Sequence, residues 1–327
     1  MAPSAPPAPQ VRLLTVDEGS EGQRLDNFLM RELKGAPKTL VYRIIRSGEV
    51  RINKGRCSAD SRLSSGDVVR VPPLRLADKP DDSAVPGREF PVVFEDEYLI
   101  VVDKPAGVAV HGGSGVSFGV IEQLRRARPQ ARFLELVHRL DKETSGLLMI
   151  AKKRSALNHL QDQLRDRETG KRYAALVWGR WTPSKKVIDV PLLKFVGGDG
   201  ERWVRAINDS HDPGADQAKR SISLVRVTEA LPAHSLLEVT IKTGRTHQIR
   251  VHLANEGHSI VGDPKYGDFD ANRTIARGAL RFDRMFLHAK ELRFTHPASG
   301  EEILLTAPLP PACENLLVGL RKAPAAA

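Results

Sequence analysis

The sequence predicts an α+β protein built from a small N-terminal domain and a larger second domain. Apolar residues recur at helical spacing near the N-terminus, and alternating or continuous apolar runs later in the chain indicate the strands of a sheet. A Pro- and Asp-rich stretch without periodic apolar positions separates the two regions. At 327 residues the chain is long enough for two domains. We therefore predict a flexible tail at residues 1–10, a first domain at 11–73, a linker at 74–91, a second domain at 92–318 and a flexible tail at 319–327.

The first domain is predicted to contain two helices followed by strands. Leu25, Phe28, Leu29 and Leu33 lie at helical spacing within Arg24 to Leu33. A second helix follows Pro37, which suits a first helical turn, and ends at Ser47-Gly48. Val50 and Ile52 then alternate with polar residues as in a half-buried strand, and a turn at Gly66-Asp67 leads into Val68 to Val71.

This first domain is strongly basic. Between Arg31 and Arg56 eight basic residues stand against two acidic ones, a local excess of +6 in 26 residues. The pattern R-L-D-x-F-L, then I-x-x-G-x-V-x-I-N, then L-x-x-G-D-x-V resembles the S4 RNA-binding module over about residues 11 to 73. The resemblance implies a fold that grips structured RNA through its phosphates, which gives affinity without sequence information. The alternative is a basic but inert solvated surface. Candidate RNA-binding residues are Lys38, Arg43, Arg46, Arg51 and Lys54.

The second domain is predicted to begin with a turn and a strand over Phe94 to Val102. The strand ends at D-K-P-A-G, residues 103–107, where Pro and Gly force a bend. A flexible loop, H-G-G-S-G, follows at 111–115. It lacks the Lys-Ser/Thr end of a phosphate-binding P-loop and the glycine spacing of a dinucleotide site, so no nucleotide cofactor is predicted.

The stretch Val137 to Lys152 combines a charged turn with a buried strand. Arg139, Asp141, Lys142 and Glu143 precede Gly146, and the apolar run Leu147 to Ala151 reads as a strand inside a sheet, although periodicity alone does not exclude a helix. A scaffold of this kind holds a carboxylate at the rim of a cleft. Taken alone, H-R-x-D is more often a solvated turn with a surface ion pair.

The rest of the chain supplies a helix, several strands and a second polar turn. We predict a helix at Arg154 to Arg167 and a strand at Lys171 to Gly179, with Tyr173 near its start facing either a cleft or the core. Residues 183–220 are predicted to form irregular strands and loops. Leu236 to Lys242 alternates as a strand and leads into Thr243-Gly244-Arg245, after which Thr246 is the predicted N-cap of a helix ending at Gly257. A hairpin, Leu287 to Phe294 and Ile303 to Leu305, is predicted on the edge of the sheet.

Two residues of the predicted helix after Thr246 are three apart and share a face, His247 and Arg250. His252 is five residues from His247, whereas a zinc-binding helix uses a spacing of four, so no metal site is predicted there.

Composition and charge limit the classes of function. Hydrophobic content of 41% with 28% charged residues is ordinary for a soluble globular protein, no apolar run is long enough to cross a bilayer, and the first ten residues do not resemble a signal peptide. Cys57 and Cys313 have no partner motif, which fits a reducing cytoplasm and excludes a cysteine-built zinc site. The net charge of +10 favours a polyanionic partner, nucleic acid before membrane.

Three blocks in a fixed order resemble the RluA family of pseudouridine synthases throughout residues 90 to 310. They are H-R-L-D-x-x-T-S-G at 138–146, K-x-Y-x-A-x-V-x-G at 171–179 and G-R-T-H-Q-I-R-V-H at 244–252, flanked by K-P-x-G at 104–107 and G-D-x-x-Y-G at 262–267. The resemblance implies a mixed, largely antiparallel sheet with flanking helices, and an isomerase that converts uridine in RNA to pseudouridine without a cofactor or metal.

The same resemblance assigns roles to individual residues. It implies that Asp141 is the single catalytic carboxylate and that Arg250 is the cation that keeps it ionised and aimed. Tyr173 would stack on the uracil, and Arg139 would lie beside or within the RNA stack and help to hold the target uridine out of it. Arg245 and His247 are further candidate RNA-binding residues.

The predicted substrate is 23S ribosomal RNA in the large ribosomal subunit or its precursor, bound by a monomeric enzyme. Segments such as L-K-G-A-P-K-T-L-V-Y-R and F-L-E-L-V-H-R-L-D resemble the branch of the family that acts on several uridines of this RNA. The loop from Asn208 to Arg220 matches the family only loosely, so the resemblance says least about its contacts and about the choice of uridine. Three alternatives remain: a related synthase that modifies other rRNA uridines or tRNA, a non-catalytic ribosome-assembly protein, and a glycosidase, which usually needs two carboxylates.

Overall fold

The structure, a computed structural model, describes residues 10–33, 35–74, 85–112, 118–198 and 200–322. The chain divides into two compact units, Met1–Pro86 and Gly87–Ala327. The predicted α+β class is confirmed. The predicted tail at 1–10 and linker at 74–91 lie largely outside the described residues. None of the helices in the described ranges is long and apolar enough to cross a membrane.

The first unit is a three-stranded antiparallel sheet with two helices. Its elements are β1 (Arg12–Thr15), α1 (Leu25–Glu32), α2 (Lys38–Arg46), β2 (Arg51–Ile52) and β3 (Val68–Val71), and the strand order is β1-β3-β2. Both helices lie where the sequence predicted them, because their apolar stripes, including Phe28 and Ile44, are buried against the sheet. The strand β1 was not predicted.

Within its described residues, the second unit contains seventeen further strands and α-helices, most of the strands in one large sheet. They are β4 (Val92–Glu95), β5 (Leu99–Lys104), α3 (Val120–Ala127), β6 (Glu135–Leu136), β7 (Ser145–Ala151), α4 (Arg154–Asp166), β8 (Gly170–Trp178), β9 (Val187–Asp189), β10 (Leu192–Val196), β11 (Arg202–Ala206), β12 (Ile222–Ala230), β13 (His234–Ile241), α5 (Gln248–Asn255), α6 (Phe269–Arg277), β14 (Leu287–Thr295), β15 (Glu302–Thr306) and α7 (Pro311–Lys322).

The large sheet has ten strands in the order β4-β5-β7-β14-β8-β13-β12-β9, with β6 paired to β7 and β15 to β14. The pair β7–β14 is parallel and the other pairs are antiparallel, which confirms the predicted mixed, largely antiparallel sheet. A separate hairpin, β10–β11, contacts α5.

Strand β7 is buried along its whole length because apolar layers cover both of its faces. Leu148 and Ile150 belong to one buried cluster, whereas Leu147 and Met149 belong to another. This explains the continuous apolar run after Gly146 in the sequence. The strand therefore holds the charged turn that precedes it at the end of a rigid central element.

Three sequence predictions are wrong. The C-terminal hairpin is not at the edge of the sheet, because β14 lies between β7 and β8 and only β15 extends away from it. Thr246 is not the N-cap of α5, since His247 occupies that position with a left-handed φ of 54°. The predicted tail from residue 319 starts too early, because α7 continues to Lys322 and buries Leu320.

Candidate active site

A cavity of about 590 Å³ opens where the turn before β7, the start of β8 and the segment from the end of β13 to α5 meet. These are the three blocks that the sequence analysis singled out, and the fold brings them together although up to about a hundred residues separate them. Six predicted site residues line the cavity: Arg139, Asp141, Tyr173, Arg245, His247 and Arg250.

Asp141 and Arg250 form an ion pair in this cavity. Arg250 Nη1 lies 3.3 Å from Asp141 Oδ2. The side chain of Asp141 is 26% exposed and that of Arg250 is 5% exposed. The carboxylate therefore faces the cavity while its cationic partner lies in the wall behind it.

A second carboxylate, Asp263, fixes the guanidinium of Arg250. Arg250 Nε and Nη2 each donate to Asp263 at 2.8 Å, a bidentate pair. Burial opposes charge on Arg250, but the hydrogen bonds and charges of Asp263 and Asp141 raise its pKa above the usual value. Burial would likewise raise the pKa of Asp263, but Arg250 and the backbone N–H groups of Tyr266 and Lys265 lower it. Both groups are consequently ionised, and Nη1 of Arg250 stays aimed at Asp141.

His247 lies near the other carboxylate oxygen of Asp141 and is hydrogen-bonded to Tyr266. His247 Nδ1 lies 2.8 Å from the Tyr266 hydroxyl, which also accepts a hydrogen bond of 3.1 Å from the backbone N–H of Val204. His247 Nε2 lies 4.0 Å from Asp141 Oδ1. Burial lowers the pKa of His247, so its imidazole is neutral near pH 7.

Tyr173 forms part of the cavity wall at the start of β8. It is 7% exposed and its backbone pairs with Val239 and Ala289 on the two neighbouring strands. Burial, and secondarily the charge of Asp141, raise the pKa of its phenol. The ring is therefore a neutral aromatic surface fixed by a central strand.

Lys104 supports the turn that carries Asp141. Its buried Nζ donates to the carbonyl oxygens of Pro105 at 2.9 Å, Val108 at 2.8 Å and Lys142 at 3.1 Å. Burial lowers its pKa to about 7, although the charges of Glu143 and Asp141 oppose that shift. The lysine thus links the end of β5 to the residue next to Asp141.

Cations surround the mouth of the cavity. Arg139 and Arg245 are exposed there, and further lining residues are Arg165, Arg167 and Lys171. Burial lowers the pKa of Lys171, which lies partly inside the cavity. This distribution of charge is suited to the phosphates of a nucleic acid.

The candidate RNA-binding residues of the first unit lie on α2 and in the chain that follows it. Lys38, Arg43, Arg46 and Lys54 are exposed and Arg51 is half-buried. None of these five side chains forms an ion pair with a carboxylate within the described part of that unit. They are therefore available to phosphates, and their contact with RNA stays a prediction. Lys34, one of the eight basic residues between Arg31 and Arg56, lies outside the described residues.

Sequence reasoning missed Lys104, Lys171, Asp263 and Tyr266 as site residues. All four residues lie inside the sequence motifs at 104–107, 171–179 and 262–267, so the sequence contained information that could have identified them. For Lys171 the signal is the strand period, since it lies two residues before Tyr173 on the same face. For Asp263 and Tyr266 only the folded chain shows the partners, Arg250 and His247.

Two other sequence predictions concern loops and metal sites. Part of the glycine-containing loop, residues 113–117, lies outside the described residues. The loop from Asn208 to Arg220 is anchored at its end by an ion pair of 2.8 Å between Arg220 and Asp189. Across the described ranges, no group of three or more His, Cys, Asp or Glu side chains is arranged to hold a metal ion.

Comparison with known families gives two matches within this chain. Residues 98–255 match the family described as RNA pseudouridylate synthase, and residues 23–69 match the S4 domain. Both family resemblances seen in the sequence are thereby confirmed.

Relatives match nearly the whole chain. Ribosomal large subunit pseudouridine synthase C of Pasteurella multocida (strain Pm70) is 48% identical over 320 residues, which cover 95% of this chain and 94% of that protein. The protein of the same name from Escherichia coli (strain K12) is 44% identical over 321 residues, which cover 96% of this chain and 98% of the relative.

Two solved structures share the fold over most of this chain. Human RNA Pseudouridylate Synthase Domain Containing 4 is 27% identical, has a TM-score of 0.57 and covers 71% of this chain and 93% of its own. Human RNA Pseudouridylate Synthase Domain Containing 1 is 25% identical, has a TM-score of 0.55 and covers 74% of this chain and 99% of its own.

Proposed function

This chain belongs to the RNA pseudouridylate synthase family, and we propose that it isomerises specific uridines of 23S ribosomal RNA with Asp141 as its single catalytic carboxylate. The observation that carries the proposal is the ion pair of Asp141 and Arg250 inside a cavity lined by all three motif blocks. The proposed substrate is supported by relatives 44% to 48% identical to this chain, which are named ribosomal large subunit pseudouridine synthase C.

The reaction exchanges one bond to the ribose for another. The bond between N1 of uracil and C1′ of ribose breaks, the uracil turns within the site, and C5 bonds to C1′ while its proton is lost and N1 gains one. Atoms and electrons balance within the nucleotide, so the isomerisation itself requires no oxidant, reductant or energy carrier.

Asp141 has one oxygen free for this chemistry. Oδ2 is engaged by Arg250, whereas Oδ1 accepts no hydrogen bond within the described residues. Two routes are compatible with a carboxylate so placed. In one, Asp141 attacks C1′ and forms a covalent intermediate. In the other, it stabilises and deprotonates the ribosyl centre. In both routes the charge of Arg250 keeps the carboxylate ionised and aimed.

Tyr173 supplies the surface on which the detached uracil rests. A buried neutral ring offers stacking without fixing the rotation of the base about its own plane. The uracil is thereby retained while it turns from N1 to C5.

The target uridine leaves its stack to reach this cavity. Flipping a base costs a few kcal/mol in a helix and less in a loop. Arg139, exposed at the mouth of the cavity, helps to hold the nucleotide out, while the basic residues of both units offset the cost through phosphate contacts.

The proposal is tested by mapping pseudouridine in 23S rRNA from cells with and without the gene. We expect specific positions to lose pseudouridine in the deletion strain and to regain it with the wild-type gene. The complementing gene with Asp141→Ala should restore no modification, although the purified variant should bind the RNA nearly as tightly as wild type. An unchanged map in the deletion strain overturns the proposal, and changes confined to other rRNA positions or to tRNA would identify the related synthase instead.

A matched control uses the other carboxylate of the same turn. Glu143 is half-buried and its nearest ionic neighbour is Lys142 at 4.0 Å. We expect Glu143→Gln to restore modification. If it instead abolishes product, or if the enzyme releases free uracil, a reaction with two carboxylates at a glycosidic bond replaces the proposed one.

A further inference from the structure

A short gap separates His247 from Asp141 in the lining of the cavity. His247 Nε2 and Asp141 Oδ1 are 4.0 Å apart, which is too long for a hydrogen bond. Neither atom makes a hydrogen bond within the described residues. Both residues line the cavity, and a ligand atom beside the pair can lie within hydrogen-bond distance of both atoms.

The hydrogen bonds of Tyr266 determine which nitrogen of His247 carries the proton. The Tyr266 oxygen already accepts the backbone N–H of Val204, and its own hydroxyl proton needs an acceptor. His247 Nδ1, at 2.8 Å, is the acceptor in place. If Nδ1 accepts, the proton of the neutral imidazole is on Nε2 and points toward Asp141. The gap is therefore bordered by a donor on one side and an acceptor on the other.

A hydroxyl group matches both borders. Its oxygen accepts from Nε2–H while its proton is donated to Oδ1, and an oxygen about 2.8 Å from each atom spans the 4.0 Å separation. A uracil carbonyl accepts but does not donate, and a phosphate would meet the like charge of Asp141. Within an RNA chain the 3′ and 5′ oxygens are esterified, which leaves the 2′-hydroxyl as the group that does both.

We propose that His247, oriented by Tyr266, binds the 2′-hydroxyl of the target uridine against Asp141 and so selects ribose over deoxyribose. The inference rests on the proposed function and names the sugar that the site accepts. Because C1′ is two bonds from the 2′-oxygen, this contact also brings the reacting carbon beside Oδ1 of Asp141. The same contact of His247 would therefore select RNA over DNA and position C1′ of the target uridine for the reaction.

The experiment compares uridine with 2′-deoxyuridine at the target position in wild type and variants of the full chain. The probe is an RNA stem-loop that carries one mapped uridine, with every other residue a ribonucleotide. kcat/KM and Kd are measured for both RNAs, and the ratio of ribose to deoxyribose is compared between proteins. The intrinsic effect of deoxyribose on the chemistry is common to all of them and cancels in this comparison.

Two substitutions at His247 separate its two nitrogens. Asn tolerates the left-handed backbone of this residue and keeps a polar atom near Nδ1, but it does not reach the position of Nε2. Gln reaches about as far as Nε2 and keeps a donor there. We expect His247→Asn to lower the ribose-to-deoxyribose ratio about tenfold, and His247→Gln to hold it within about threefold of wild type.

Tyr266 has a matched control in Tyr98. Tyr266→Phe removes the hydroxyl that orients His247, whereas Tyr98→Phe removes a hydroxyl from a ring that contacts a different histidine, His296. We expect Tyr266→Phe to lower the ratio toward that of His247→Asn and Tyr98→Phe to leave it unchanged.

Several results would overturn the proposal. An unchanged ratio in His247→Asn, or an equal loss with both RNAs, means that His247 positions Asp141 without contacting the sugar. Equal wild-type rates with both RNAs mean that the gap holds water. If the wild-type enzyme converts no uridine of 23S rRNA, the proposed function fails, and the Kd ratio for a stem-loop with one unpaired uridine still decides whether His247 reads the hydroxyl.

Discussion

At the scale of single residues, the site is a chain of charges of alternating sign that ends at Asp141. The side chain of Asp263 is 1% exposed, that of Arg250 is 5% exposed and that of Asp141 is 26% exposed, so exposure grows toward the carboxylate at the cavity. A buried ion pair is not necessarily stabilising, but removing one partner leaves an uncompensated charge. We infer that the pair serves the geometry of the site, because Asp263 occupies two guanidinium nitrogens of Arg250 and leaves the third for Asp141.

We expect Asp263→Asn to impair both folding and turnover. Arg250 would lose its bidentate partner and turn toward Asp141, engaging the oxygen that should face the substrate. The free energy of unfolding should fall by roughly 3–5 kcal/mol, measured by urea denaturation, and kcat by at least about tenfold. Asp283→Asn, which changes an exposed carboxylate, serves as the control. A variant with wild-type kcat would show that Asp263 does not aim Arg250.

Lys104 gives a prediction about pH. Its folded-state pKa of about 7 lies below the usual 10.5. Below about pH 7 the lysine is charged in both states and its burial opposes folding in full. As the pH rises toward 10.5 the folded chain releases this proton while the unfolded chain keeps it, so the wild-type free energy of unfolding should gain up to about 1.4 kcal/mol per pH unit from this residue.

The pH effect is measured against Lys104→Met. This variant lacks the gain. The free energy of unfolding of wild type, measured by urea denaturation, should therefore rise relative to that of the variant between about pH 7 and about pH 9.5. Its kcat should also fall, because three carbonyl oxygens around the turn of Asp141 lose their donor. Lys290→Met, at an exposed position, should show neither effect. If the difference in free energy of unfolding between wild type and Lys104→Met is the same across this pH range, Lys104 does not have the lowered pKa.

At the scale of secondary structure, the parallel contact of β7 with β14 positions the turn that carries Asp141. Gly146 has a φ of +110° and lies directly against β14, where a Cβ atom would be 2.3 Å from the carbonyl oxygen of Ala289. Backbone atoms of a central strand cannot yield as a flexible side chain would. This glycine therefore allows the turn of Asp141 to approach the neighbouring strand.

We expect Gly146→Ala to destabilise the second unit by at least about 3 kcal/mol, since the strand must move and a left-handed conformation becomes strained. In a thermal melt this corresponds to a fall in Tm of roughly 6–12 °C. Gly198→Ala is the matched control, because nothing lies within 4 Å of the added atom, and its effect should stay within about 0.5 kcal/mol. Equal Tm values for the two variants would contradict this account of Gly146.

Local pattern was sufficient to predict most of the helices and the longer strands. The stripe of α4 and the alternation of β13 are properties of contiguous residues, and both elements lie where the sequence put them. Weak local signals were missed, as in the four-residue strands β1 and β4. Strand order also escaped prediction, because the pairing of β14 with β7 and β8 joins segments far apart in the chain.

The same limit applies to the site. Asp141, Tyr173 and Arg250 stand in motifs with a recognisable chemistry, and the structure brings all three to one cavity. Their supports were not predicted, because Tyr266 becomes the partner of His247 only when nineteen residues of chain fold back. The N-cap error at Thr246 has a similar cause. The side chain of Gln248 accepts from Thr243 and from the backbone of Arg245, and this replaces a capping hydroxyl.

At the scale of the whole molecule, the net charge of +10 is divided between the two units, and each unit has more basic than acidic residues. The first unit exposes unpaired cations on and after α2, and the second surrounds its cavity with cations. Phosphate contacts release counterions, so each contact adds to the salt dependence of binding without adding sequence information. We infer that the first unit contributes affinity and the second contributes the choice of nucleotide and the chemistry.

This division of roles predicts the behaviour of a double variant in α2, Arg43→Gln with Arg46→Gln, in the full chain. If each arginine contacts a phosphate, the slope of log Kd against log salt should decrease by about 1.4–1.8, and Kd at moderate salt should weaken by about tenfold or more. At saturating RNA, kcat should equal that of wild type, because the cavity of the second unit is untouched. The control removes the same charge elsewhere, as Arg226→Gln with Arg321→Gln, where each arginine is already paired with a glutamate. A slope that is unchanged in the α2 variant, or equally reduced in the control, would mean that general charge and not this helix binds the RNA.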